Sequence, residues 1–166
     1  MDIWITPAEI ATRLALAIVL GGLLGFEREY RHKAAGLRTH MMVALGATTF
    51  TLVTLELFHR TAIDGAVGGV SVDPTRVIQG IIGGIGFLGA GSIIQGRGSV
   101  AGLTTAGSLW FVGSIGVAVG GGHYVVAGLA AAAGLIVLAG IGLLKRFFPD
   151  GQDEDRGQCD DEPMRR

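Results

Sequence analysis

The chain has little charge. Asp, Glu, Lys and Arg make up 16% of its 166 residues, against 49% hydrophobic ones. A soluble domain of this length needs more polar surface than that. Cysteine is almost absent, and a single residue, Cys159, cannot close a bridge within the chain. There is no GxxxxGK[ST] loop, so ATP hydrolysis has no basis in the sequence. The four histidines, His32, His40, His59 and His123, share no metal-ligand spacing. No nucleophile and base stand at a useful spacing, which argues against an enzyme. With a net charge of −1, nothing calls for a nucleic-acid partner.

What is present is hydrophobic sequence gathered into long runs, without the alternation of barrel strands. Five runs, over about 8–26, 37–58, 77–95, 103–120 and 123–144, approach the roughly 20 residues that a helix needs to cross ~30 Å of hydrocarbon. Lipid offers no partner for a backbone amide, so such spans must be helical. The expected fold is an all-α integral membrane bundle of about five transmembrane helices. Its transmembrane domain covers 1–146, and 147–166 forms an acidic cytoplasmic tail. That tail holds seven acidic residues and almost nothing apolar, so it is expected to be disordered. The first run resembles a secretory signal, but no basic residue precedes it and Arg13 lies inside it. It is read as a retained span.

Lys and Arg collect in short cytoplasmic loops. Five spans put Arg28, Arg31, Lys33, Arg38, Arg97, Lys145, Arg146, Arg156, Arg165 and Arg166 on one side, with only Arg60 and Arg76 on the other. The expected topology therefore has the N-terminus outside and the C-terminus in the cytoplasm.

The segment 80–91 reads GIIGGIGFLGAG, six glycines in twelve positions. In water each interior glycine costs about 1 kcal/mol relative to alanine. In lipid, small residues four apart let helices approach closely. Gly80 and Gly84 form such a pair, as do Gly21 and Gly25 on the first span, and Gly86, Gly89 and Gly91 extend the stripe. The third span is therefore expected at the bundle centre. Gly84, Gly86 and Gly89 also match GxGxxG, but inside an apolar run with no preceding strand, so no nucleotide cofactor is expected.

Polar residues at the span ends carry more information, because they are costly in lipid and face the bundle interior. Asp73 and Pro74 read as N-cap and first residue of the third span, and Asp73 with Arg13 as a candidate outer-face network. Glu9 with Arg13, and Glu56 with Arg60, stand four apart as local ion pairs. At the inner side, Glu27 and Arg28 leave the first span, Arg38, Thr39 and His40 enter the second, and Thr104 and Thr105 open the fourth. These side chains are expected to converge beneath the bundle, although His40, like His123, is by itself read as an interfacial residue, with Trp110 and Tyr124 as packing or interfacial aromatics.

The blocks GFEREYRHKAAGLRTH, DPTR, GIGFLGAG and VAGLTTAGSLW, in that order and spacing, resemble the MgtC/SapB family of bacterial inner-membrane proteins. On that resemblance the signature polar residues are Glu27, Arg28, Lys33, Arg38, Thr39, His40, Asp73, Arg76, Thr104, Thr105, Ser108 and Trp110. It implies a bacterial inner-membrane location, about five spans, and a role in magnesium homeostasis or adaptation to low magnesium. The implied mode of action is regulation of a membrane partner such as ATP synthase. The alternative is a transporter or channel for magnesium or another cation, acting as a homo-oligomer, with Asp73 or Glu27 as the candidate ion-facing carboxylate. The chain corresponds to a short form, without the soluble C-terminal domain that MgtC-like members carry.

Overall fold

The computed structural model describes residues 5–63, 73–96 and 99–147, with 141–147 as backbone only. Five helices account for most of them: α1 (Pro7–Tyr30), α2 (Leu37–Ile63), α3 (Pro74–Gly91), α4 (Leu103–Gly120) and α5 (Tyr124–Phe147). Between α3 and α4 lies an antiparallel hairpin, β1 (Ile94–Gly96) and β2 (Ser99–Ala101), pairing Ile94 with Ala101 and Gly96 with Ser99. The acidic tail beyond Phe147, the turn holding Arg97, and the segment 64–72 lie outside the described residues.

Local chemistry sets the helix ends. Thr6 caps α1 by accepting from the Glu9 amide at 3.3 Å, and Pro7 occupies the first turn, where its missing N–H costs nothing. The helix stops in a Schellman motif: the Lys33 amide donates to the Arg28 carbonyl and the His32 amide to that of Glu29, with His32 left-handed at φ 53°. Asp73 caps α3 as its position before Pro74 predicts, accepting from the Thr75 amide at 2.9 Å. The apolar run continues past α3, but the helix does not. Ser92 ends it, donating its hydroxyl to the Gly89 carbonyl at 2.7 Å, so 94–96 is strand where helix to 95 is expected. Gly102 then turns the chain into α4 at φ 90°, with the Ser92 carbonyl 2.0 Å from where a Cβ would stand. No side chain fits there.

Three of the helices are each long and apolar enough to cross a membrane: α1, α2 over Leu37–Ala62, and α4. The first two turns of α3 carry Thr75, Arg76 and Gln79, and α5 is apolar over Tyr124–Gly140. Successive helices alternate in direction. Gly25 of α1 meets Leu37 of α2 and Gly21 meets Ala44, whereas α2 and α4 run parallel, Thr48 facing Gly116 and Thr51 facing Gly120.

The bundle centre is α4, which packs against all four other helices, and not α3 as the glycine count suggests. The reason is visible at each glycine. Gly113, Gly116 and Gly120 of α4 sit where a Cβ would stand 2.1, 2.5 and 2.7 Å from Ile85, the Ala44 carbonyl and Thr51. Gly21 and Gly25 bring α1 as close to α2, with neighbours at 2.9 and 2.8 Å. On α3 only Ile81, Ile85 and Gly89 are buried. Gly80, Gly84, Gly86 and Gly91 have no atom outside their own helix's backbone within 4 Å of a Cβ position. A glycine permits close approach but does not compel it, and α3 meets α4 through Ile81, Ile85 and the single glycine Gly89. Lipid tails are as apolar as these side chains, so the contacts that hold the bundle are van der Waals fit and interhelical hydrogen bonds.

Adding a methyl group at Gly116 therefore presses on the α2 backbone, whereas one at Gly80 meets open space. Gly116→Ala is expected to lower stability by about 1–3 kcal/mol in detergent unfolding, as overpacking does. Gly80→Ala is expected to leave it unchanged or raise it.

Candidate functional site

The polar residues gather at the two ends of α4. At its start, Arg28 comes from the last turns of α1, His40 from the first turn of α2, and Thr105 and Ser108 from α4 itself. All four are buried, His40 completely. Arg28 Nη2 donates to Thr105 Oγ1 at 3.0 Å. His40 Nδ1 lies 2.8 Å from the Gly36 carbonyl, which can only accept, so Nδ1 carries a proton. His40 Nε2 is 3.1 Å from Ser108 Oγ, and that hydroxyl also reaches the Thr105 carbonyl at 2.9 Å. With Nε2 unprotonated, the one hydroxyl proton faces two acceptors, and it ties α2 to α4 when given to Nε2, since the Thr105 carbonyl belongs to α4 itself.

Glu27 borders this network. Its carboxylate forms an ion pair with Arg31, which donates to the Ala139 carbonyl of α5 at 3.2 Å. The pair lacks hydrogen-bond geometry. Both Glu27 oxygens and Arg28 Nε are buried without a hydrogen-bond partner among the described residues. Such groups are costly unless charge compensates them, and here a carboxylate and two guanidiniums lie within one turn of α1.

Glu29 does something different. Its Oε2 accepts from the Leu37 amide at 2.7 Å, so a carboxylate from the end of α1 caps the start of α2. Gly36 makes room for it, since a Cβ there would stand 1.8 Å from that oxygen. The sequence offers one signal for this arrangement: α2 begins with no Ser, Thr, Asp or Asn just before it, so its cap has to come from elsewhere.

At the other end of α4, Arg13 is buried and donates to the Gly120 carbonyl at 2.6 Å and to the Tyr124 hydroxyl at 3.1 Å, while paired with Glu9. A cation on the last carbonyls of a helix is also favoured by the helix dipole. The expected network of Arg13 with Asp73 is not what forms. Asp73 bonds Thr75, with Arg76 3.8 Å away, and the Thr75 hydroxyl and amide hold its carboxyl below the ordinary carboxylate range. Tyr124 thereby has a specific partner instead of a purely interfacial place. The Glu56–Arg60 pair forms at 2.8 Å.

The other sequence candidates stand apart. Thr104, Lys33, Arg38 and Thr39 are exposed, and Trp110 is half exposed. Glu27 and Asp73 cannot share an ion. Glu27 adjoins the start of α4, where Gly89 of α3 packs on Ala106, whereas Asp73 precedes α3, about 24 Å of helix from Gly89. Among the described residues no three His, Cys, Asp or Glu side chains are grouped to hold a metal ion.

Arg13→Leu leaves Glu9 unpaired and the Gly120 carbonyl without its donor. A loss of about 1–3 kcal/mol is expected in thermal or denaturant unfolding in micelles. Arg13→Lys keeps the charge but not the fork that reaches three groups at once, so it should recover part of that loss and not all of it. A wild-type unfolding curve for either variant would rule out this anchoring role.

The family model described as MgtC family matches residues 14–147. Protein MgtC of Brucella abortus is 46% identical over 120 residues, covering 72% of this chain and 46% of that protein. The Escherichia coli protein named "Putative magnesium transporter YhiD" is 38% identical over 117 residues, 70% of this chain and 53% of its own length. Protein SrpB of Synechococcus elongatus is 32% identical over 146 residues, 83% of this chain and 78% of SrpB. The chain thus spans about half the length of the Brucella and Escherichia relatives. No solved structure matches it. The match extends from Leu14, just after the first buried arginine of α1, through the last described helix, and this chain belongs to the MgtC family.

Proposed function

We propose that this protein is a multi-pass component of the bacterial inner membrane that supports magnesium homeostasis or adaptation to low magnesium by regulating a membrane partner such as ATP synthase. The observation that carries this reading is the layer between the two polar ends of α4. Ala17, Ala44, Val112, Ile115 and Val119 fill it, each at 0% exposure. A hydrated divalent cation needs a polar path. The buried polar groups flanking this layer are engaged with helix backbone and with one another: Arg13 with Gly120, Thr48 with Gly116, His40 with Ser108. An interior so occupied leaves the outer helix faces to act, which suits regulation by contact.

In this reading all five helices cross, with the α1–α2 connection and the C-terminus cytoplasmic and the N-terminus outside. Support comes from the alternating helix directions and from Arg28, Arg31, Lys33 and Arg38 clustering at one membrane face. With Cys159 replaced by serine, Ala34→Cys should react with a membrane-impermeant thiol reagent only in inverted vesicles; labelling of intact spheroplasts would reverse the orientation.

The second reading is cation transport by this chain. It draws on the transporter named in the Escherichia relative and on the two buried oxygens of Glu27, which accept no hydrogen bond among the described residues. Purified protein in sealed liposomes separates the two. Regulation predicts no magnesium flux above empty vesicles, together with a defined partner complex recovered by crosslinking in native membranes. Flux that Glu27→Gln abolishes would establish transport instead.

A further inference from the structure

Lys33 and Arg38 have no ion-pair partner among the described residues, and both line a polar hollow of about 430 Å³ at the start of α2. Next to it, between α2 and α3, runs an apolar groove of about 720 Å³. Thr39 lines both. We propose that groove and hollow together form a binding site for an anionic phospholipid, with an acyl chain along the groove and the phosphodiester against Lys33 and Arg38. The lipid belongs to the leaflet on the side of the α1–α2 connection.

Charge, length and shape each favour this occupant. Glu29 also lines the hollow, with one oxygen held by the Leu37 amide, so its carboxylate offsets one of the two cations and these three side chains carry one positive charge between them. That complements the single negative charge of a phosphodiester. The start of α2 adds the positive end of a helix dipole. Basic pockets between spanning helices at a membrane face are established lipid-headgroup sites.

The groove extends from Thr39 to Phe50 on α2 and from Leu88 to Val77 on α3. Eleven residues of helix rise about 16 Å, close to half of the ~30 Å hydrocarbon core. It therefore spans one leaflet, the reach of a lipid chain, whereas a packed transmembrane helix would run through both. The floor is formed by Gly46, Gly80 and Gly84, none of which has a neighbouring atom within 4 Å of a Cβ position. The missing side chains make the groove, and nothing else among the described residues fills it. The site does not depend on whether the protein regulates or transports.

The test is native mass spectrometry of the purified full chain, titrated with phosphatidylglycerol and with phosphatidylcholine of matched chains. Wild type should prefer phosphatidylglycerol by on the order of tenfold, as expected for two basic side chains at a headgroup. The double variant Lys33→Gln/Arg38→Gln should still bind both lipids, with the preference reduced to about twofold or less. Gly80→Leu/Gly84→Leu should weaken both lipids alike by about tenfold or more, since it fills the groove without meeting a neighbour. Equal affinity of wild type for the two lipids, or a preference that survives in the double glutamine variant, overturns the headgroup assignment. Unchanged lipid binding in the leucine variant overturns the groove. A wild type that binds neither lipid but forms a dimer, dissociated by the leucines, assigns the groove to a second copy and also overturns the proposal. If the leucines prevent folding, phosphatidylglycerol with a photoactivatable acyl chain decides: crosslinks within 39–50 and 77–88 support the site, and crosslinks elsewhere refute it.

Discussion

Two arginines on one helix, reaching the two ends of another, fix this bundle. Arg13 and Arg28 stand fifteen residues apart on α1, and their partners Gly120 and Thr105 stand fifteen apart on α4. Equal rise on two antiparallel helices, about 22 Å each, sets their register with no freedom to slide by a turn. The two anchors differ in kind. Arg13 meets the carbonyl end of α4, where the helix dipole favours a cation. Arg28 meets the amide end, where the dipole opposes one, and a carboxylate stands beside it at Glu27. The acidic residue that contributes nothing to membrane orientation thus has an electrostatic reason to be in the block.

Once α1 and α4 are in register, α2 follows. It fits against α1 through Gly21 and Gly25, and against α4 through Gly116 and Gly120, with backbone or Cβ atoms at distances where no side chain can intervene. Two hydrogen bonds reinforce the fit, Thr48 to the Gly116 carbonyl and His40 to Ser108. Eight residues separate the members of these pairs on each helix, so the parallel register of α2 and α4 is as closely fixed as the antiparallel one. In a medium that supplies no hydrophobic drive between helices, such paired contacts carry the specificity.

Much of this was legible beforehand, and the parts that were not have a common cause. Composition and run length give a helical membrane protein, and Asp73 before Pro74 gives a helix start, because both depend on residues adjacent in sequence. The convergence of Arg28, His40 and Thr105 follows from their place at span ends. The role of Arg13 was half visible: a cation inside an apolar run must find a partner, but that this is a carbonyl 107 positions away depends on packing. The same holds for Glu29, whose capping of α2 depends on how the chain turns between two helices. The largest difference is α3. Glycine density marks where close approach is permitted, and sequence alone cannot distinguish a glycine used for it from one left open.

That distinction divides the glycines into two populations with different consequences. Gly21 and Gly25 of α1 and Gly113, Gly116 and Gly120 of α4 are consumed in the interior, where an added Cβ would meet another helix within 3 Å. Gly80 and Gly84 of α3 remain on an outer face, beside α2 residues that are exposed: Met42 at 66% and Phe50 at 62%. In the interior, polar groups are largely matched to helix backbone, and the layer between them is filled by small apolar side chains. Outside, an apolar groove ends at two cations with no partner among the described residues. Adding side chains at the interior glycines would separate helices, whereas adding them at the α3 glycines would only fill a space. A sequence selected for packing alone would gain helix stability from alanine at Gly80 and Gly84, where nothing stands in the way. Keeping glycine there maintains a vacant surface in the membrane, and that surface is where the chain meets whatever lies beside it.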